Sequence, residues 1–323
     1  MKVLKFGGSS VANLEGILRV GNIIKSQKDK VLVVVSAFSG ITDKLIAAAR
    51  MAEAGDVSFR DALSEIRHAH IQVVRNLPAT QEQRNSLSHR IDALLLQLEN
   101  ICEGIFLLHV LPEKTYCEVL SFGERLSSEI LATSIPGAIT SDAREFIKTR
   151  FSEDSTIVDS SITADCIRSH FSEYCTHGSI AIVPGFIASD AVSSETTLLG
   201  RGGSDYSASL IAAALGAESL EIWTDVDGFM SADPRIVPGV KKIAEPIGVI
   251  AAASSLWIML LTQLVINSRY ALMSLALSQK LGKKFGIFHR LMVAFFNTDE
   301  VFALGMARKE PLTARYFTGA GTV

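Results

Sequence analysis

Short apolar runs alternate with longer amphipathic ones over the first part of the chain. Residues 3–6 and 31–35 are apolar without interruption, the pattern of strands buried on both faces of a sheet. Each is followed by a segment with apolar residues at helical spacing, 13–24 and 41–54. Strand then helix, repeated, predicts right-handed βαβ units around a parallel sheet, hence an α/β fold. Residues 58–110 carry three helical patterns in succession and no convincing strand. They predict a helical insertion over one end of the sheet, placed to act as a lid. Further along, 179–183 and 218–223 read as strands with a helix over 204–215 between them. No repeat of fixed period and no low-complexity segment interrupts this order.

With 323 residues, 48% of them hydrophobic and 20% charged, the chain can bury one large core or two modest ones, which excludes a disordered or collagen-like protein. The 31 basic and 34 acidic side chains nearly cancel, so nothing global attracts nucleic acid or an acidic membrane; affinity for phosphate must be local. Charge is nevertheless uneven. Residues 246–323 hold eight basic and three acidic side chains, a net of +5, against −8 in the 245 residues before them. The stretch from Pro246 to Ser268 has no charge and is long enough for a membrane span. Small and polar residues break it, which favours a buried helix or a displaced segment and argues against a membrane partner. Cys102, Cys117, Cys166 and Cys175 are scattered and form no CxxC pair, so reduced buried thiols are expected. A glycine pair arrives before any run long enough for a signal peptide, which points to the cytoplasm. His68 and His70 fall on different faces of a helix and are poor joint metal ligands.

Three segments carry chemistry. Lys5-Phe6-Gly7-Gly8-Ser9-Ser10 lies where a strand passes into a helix: paired glycines let backbone N–H groups approach an anion, the helix start adds partial positive charge, and Lys5 adds a full one. It is neither a Walker A nor a dinucleotide motif, and a tight βα turn with a snorkelling lysine accounts for it equally well. Gly200 to Tyr206, GRGGSDY, precedes an Ala-rich helix. Arg201 can grip a carboxylate bidentately, Ser204 can donate to it, and Asp205 can orient a lysine; a structural glycine turn is the alternative. Trp223 to Gly228, WTDVDG, followed by Ala232-Asp233-Pro234-Arg235, puts donors and acceptors at the carboxyl edge of a parallel sheet, unless it is ordinary turn chemistry. Two smaller constellations are Ser36 to Thr42, after the second strand, and Ser121 to Glu124, within a helical pattern.

Taken together and in order, KFGGSSVAN, SGIT, SFGE, PGFIAS, TTLLGRGGSDYSA and IWTDVDGFMSADPR resemble the amino-acid kinase family, and within it the aspartokinases, from Met1 to about Ile247. ICEGIFLL and the MSADPR turn are most similar to the kinase half of bifunctional aspartokinase–homoserine dehydrogenases. The resemblance implies a three-layer α/β/α sandwich with a central, mainly parallel sheet. It implies ATP-dependent phosphorylation, with Mg²⁺, of the β-carboxylate of L-aspartate, the entry to lysine, threonine and methionine synthesis, and a homodimer. By the same resemblance, Lys5 and Asp205 would be catalytic, Asp205 by organising Lys5. Lys5, Gly7 and Gly8 would hold the transferring phosphate, and Phe6, Ser9, Thr224, Asp225, Met230 and Arg235 would complete the nucleotide site. Ser36, Thr42, Glu124, Arg201, Gly203 and Ser204 would bind aspartate. No residue is assigned to a metal.

Met230 stands where many relatives carry a tyrosine; a thioether can still pack on an adenine. From about residue 248 the resemblance stops. The FGAK-like segment whose lysine contacts nucleotide in the family, its closing strand, the regulatory ACT domains and the dehydrogenase half are not legible. The expectation is that 248–323 do not encode the family's native sequence, as after a frameshift, leaving the fold incomplete at that end and catalysis impaired.

Overall fold

A computed structural model describes residues 1–27, 30–152, 155–172 and 180–224, together with short strands at 229–230, 242–244 and 250–251. The chain divides into two units, Met1–Ala252 and Ala253–Val323, and the second lies outside the described residues.

The uninterrupted apolar runs become the middle of a six-stranded sheet. Strand β1 (Lys2–Phe6) pairs in parallel with β2 (Val31–Val35) on one side and β9 (Ser219–Trp223) on the other. Beyond β2 lie β6 (Ile180–Pro184) and β3 (Ala138–Thr140), also parallel, whereas β12 (Ile250–Ala251) closes the far edge antiparallel to β9. The order is β12-β9-β1-β2-β6-β3. Successive side chains of a strand face opposite sides, so β2 feeds two cores: Val31, Val33 and Val35 enter one, Leu32 and Val34 the other.

On the first face pack α1 (Leu14–Lys25), α2 (Ile41–Glu53), α3 (Phe59–Asn76), α4 (Gln81–Leu108) and α5 (Glu113–Ser134). On the second pack α6 (Ser160–Phe171) and α7 (Gly203–Ala214), which completes the expected three layers. Local chemistry sets several boundaries. Asn13 caps α1 by accepting from the Gly16 N–H at 2.9 Å, and Thr80 with Gln83 forms a capping box at α4. A smaller sheet, β5-β4-β7-β8, is made from β4 (Lys148–Ser152), β5 (Ser155–Val158), β7 (Ile187–Asp190) and β8 (Thr196–Leu198). The remaining pair, β10 (Phe229–Met230) and β11 (Lys242–Ala244), is antiparallel.

The insertion differs from expectation. Two helices, not three, occupy 59–108, because the last two patterns run on as one 28-residue helix. Their apolar stripes join the core that covers the first sheet face, so burial holds them there and no residue of 58–110 lines the cleft described next. Of the cysteines, Cys102 and Cys117 are buried free thiols, pushed up to about 12 and about 11 chiefly by burial; Cys166 is free and half-buried, and Cys175 lies outside the described residues.

Candidate active site

The carboxyl ends of β1 and β2, the N-termini of α2 and α7, and the middle of α5 converge on a cleft of about 380 Å³. Lys5 and Gly8 reach it from the end of β1, Ser36 from the segment joining β2 to α2, Thr42 from the first turn of α2, and Glu124 from α5. Arg201, Gly203, Ser204 and Asp205 line it from the turn into α7. Nine of the expected site residues therefore share one space. Gly7 borders it as well, since a Cβ there would lie 3.9 Å from Lys5 Nζ.

Several features favour anions. Glycines precede both helices: Gly40 (φ 77°) at α2 and Gly202 (φ 74°) at α7, neither followed by a side-chain cap, so both helix N-termini present backbone N–H groups and partial positive charge. Lys5, only 9% exposed, has its Nζ 2.7 Å from Asp205 Oδ1, a charge pair by distance that is not aligned as a hydrogen bond. Arg201 is exposed and has no ion-pair partner among the described residues. At Gly8 a Cβ would stand 2.5 Å from the Ala37 carbonyl oxygen, so only glycine lets the first turn press against the second.

Glu124 is the counterweight. It is 4% exposed, and burial pushes its carboxyl up to about 7 although the Ala37 and Glu124 main-chain N–H groups donate to it. Its Oε2 has no hydrogen-bond partner, an expensive state for a buried oxygen unless a ligand donates to it. The loop beside it is pinned from several sides: Ser127 Oγ donates to the Ser36 carbonyl at 2.8 Å, and the Ser39 N–H to that of Gly8 at 3.2 Å. Phe38 stacks on His70 with ring centroids 4.7 Å apart. Burial drives that imidazole down to about 4 and Ile66 O lies 2.8 Å from its Nδ1, so His70 is a neutral packing group. Among the described residues no group of three or more His, Cys, Asp or Glu could hold a metal ion.

Not every expected residue lines the cleft. The Phe6 side chain is in the core, stacked on Trp223 at 5.9 Å, because its strand position faces the first helix layer; only its main chain, whose carbonyl accepts from the Ser36 N–H, is near the turn. Ser9 is exposed on a short 3₁₀ helix (Gly8–Val11). Thr224 is exposed just after Trp223, which the β1–β9 register sets opposite Phe6, so it shares the sheet edge with Gly7. Asp225, Arg235 and the side chain of Met230 lie outside the described residues. Conversely, Phe186 lines the cleft and was not selected from sequence. Its φ of 68° is rare for a bulky residue, and it is held by its N–H donating to Ser207 Oγ at 3.1 Å and its carbonyl accepting from the Leu199 N–H at 2.9 Å. A Pro-Gly pair directly after a strand was the available signal.

The fold agrees with comparisons to known proteins. The model of the amino acid kinase family matches residues 1–248. The chain belongs to that family. It is similar to the lysine-sensitive aspartokinase 3 of Escherichia coli, 35% identical over 248 residues, covering 75% of this chain and 53% of the relative. It is similar also to the bifunctional aspartokinase/homoserine dehydrogenase of Buchnera aphidicola, 32% identical and covering 75% of this chain and 30% of that enzyme. Among solved structures, E. coli aspartokinase III in complex with aspartate and ADP superposes with a TM-score of 0.66 at 31% identity over 75% of this chain and 53% of that one. The aspartate kinase of Clostridium acetobutylicum gives 0.59 at 28% identity over 75% and 52%. The chain spans about half the length of the first of these curated relatives. A second family model, AzlC protein, matches residues 246–323. The break read near residue 248 falls where the first match ends and the second begins. No helix among the described residues is long and apolar enough to cross a membrane.

Proposed function

We propose that this chain transfers the γ-phosphoryl group of ATP to the β-carboxylate of L-aspartate, the first step towards lysine, threonine and methionine. One observation carries the reading: Lys5 and Arg201, suited to opposite ends of a reacting pair, line the same cleft as a buried carboxylate one of whose oxygens lacks a partner. Glu124 takes the substrate ammonium and Arg201 its α-carboxylate, with Ser36, Thr42, Gly203 and Ser204 completing the acceptor pocket. The β-carboxylate is then directed at the phosphate held by Lys5 and the Gly7-Gly8 turn. Thr224, Asp225, Met230 and Arg235 take the remainder of the nucleotide.

The acceptor carboxylate is ionised at neutral pH and needs no general base. An oxygen of that carboxylate forms a bond to the γ-phosphorus as the bond to the bridging oxygen of ADP breaks, and ADP leaves with the electron pair. The protein's part is alignment and charge neutralisation by Lys5 and the helix N-termini, with Asp205 keeping Lys5 in place. Mg²⁺ bound through the phosphates would supply further neutralisation; it asks for few protein ligands, which suits a cleft whose donors are mostly cationic and amide groups. A coupled ADP-release assay with aspartate, glutamate or no acceptor tests the reading. Aspartate-dependent turnover is expected; turnover with glutamate alone, or none with any acceptor, overturns it. A cytoplasmic homodimer is the accompanying proposal, checked by sedimentation of the purified chain.

A further inference from the structure

The aspartate pocket assigned above has two poles on different layers: Glu124 on α5, and Arg201 five residues beyond Thr196 of β8. What fixes their spacing is not in the cleft. Glu118, six residues before Glu124 on α5, accepts from three directions. Arg125 Nη1 reaches its Oε1 at 3.0 Å, Arg144 Nη1 its Oε2 at 3.2 Å, and the Thr196 hydroxyl donates to Oε2. Arg144 Nη1 also donates to Thr196 Oγ1 at 3.0 Å, and its other nitrogens grip Asp142, with Nη2 to Oδ2 at 2.7 Å. The backbone under Arg144 is itself fixed, because its carbonyl accepts from Lys148 Nζ at 2.8 Å and Ser189 Oγ at 2.6 Å.

We infer that Glu118, with Thr196 and Arg144, is a positioning cluster that locks α5 to the β8 strand and thereby sets the distance between the ammonium-binding and carboxylate-binding poles. The inference rests on the proposed aspartate reading and adds a source of chain-length discrimination to it. Aspartate and glutamate carry the same three charges and differ by one methylene. A pocket distinguishes them only if its poles hold the α-amino and α-carboxyl groups at a fixed place relative to the phosphate. Contacts to those groups alone do not supply this; a rigid frame behind them does. The cluster is built for rigidity. Two guanidinium groups share the Glu118 carboxylate in a largely buried setting, so removing it leaves Asp142 alone to offset both charges.

The test uses Thr196→Val, which deletes the hydroxyl at nearly constant volume, and Glu118→Gln, which keeps an acceptor and removes the charge. Aspartate and glutamate affinities are read by calorimetry, and KM and kcat by ADP release. A roughly 10- to 100-fold rise in aspartate KM is expected, with the KM for ATP unchanged and the preference for aspartate over glutamate narrowed at least severalfold. Lowered thermal stability with an unaltered aspartate-to-glutamate ratio in Thr196→Val overturns the inference and leaves the cluster a packing device, whether or not Glu118→Gln folds. If the wild-type chain binds neither acceptor, the functional reading fails and takes this inference with it; if it binds aspartate and both variants match it, only the inference fails.

Discussion

Glu124 is held where its charge is disfavoured, and that has consequences that can be measured. Burial pushes its carboxyl from the ordinary 4.5 up to about 7, so below pH 7 it is mostly neutral and attracts no ammonium. Binding aspartate must then expel a proton. Affinity is expected to rise from pH 6 to 8, by up to about tenfold per pH unit below 7, and Glu124→Gln is expected to bind about 100-fold more weakly with no such dependence; calorimetry in buffers of different ionisation enthalpy reads both. The sign for folding is opposite. Burial favours the protonated form, so this group's cost to the unliganded protein is absent below about pH 4.5, grows as the unfolded chain ionises, and is complete above about 7. Lys5 makes a different prediction. On the proposed reading its ammonium holds the phosphate, so Lys5→Ala should lower the phosphoryl-transfer rate by ~10² to 10³ while leaving aspartate affinity within a few-fold of wild type, as single-turnover kinetics would show.

At the level of elements, the site depends on close approach between turns that the hydrophobic pattern does not encode. The Gly7-Gly8 turn is backed directly by the Ser36–Gly40 loop, and a methyl group at Gly8 would overlap the Ala37 carbonyl. Gly8→Ala is therefore expected to cost about 1–3 kcal/mol of stability, measured by denaturant unfolding, and to weaken nucleotide binding more than aspartate binding. Strands β1, β2, β6 and β9 and helices α1, α2 and α7 were legible in the sequence to within about a residue or two at each end, because apolar runs and capping residues are local signals. The short strands β3, β4, β5, β7 and β8 were not. Their residues are mixed in polarity, as in the exposed Ser-Thr-Ile-Val of β5, and only pairing with neighbours makes them strands. Helices α3 and α4 were legible as helices but not in number or position, since an amphipathic stripe states that a face is buried and not against what.

Across the whole molecule, the central sheet separates two cores that share almost nothing but the strands themselves. Val33 belongs to one and Val34 to the other, both fully buried. Each valine-to-alanine change should destabilise the protein by about 1–3 kcal/mol, and in equilibrium unfolding the double variant should lose the sum within a few tenths of a kcal/mol, because side chains on opposite faces have few common partners. Coupling much larger than that would mean the two layers do not pack independently. By itself the sequence determined the family, the α/β alternation and most of the residues in the cleft, because phosphate turns and carboxylate-binding arginines need particular residue types at particular places along the chain. Only the tertiary structure decided that Phe6 turns into the core, that Phe186 enters the cleft with a left-handed backbone, and that Glu124 sits desolvated within reach of the β2–α2 loop. Those outcomes depend on which face of a strand or helix meets which neighbour, and that is settled by packing between segments far apart in the chain rather than by any local pattern.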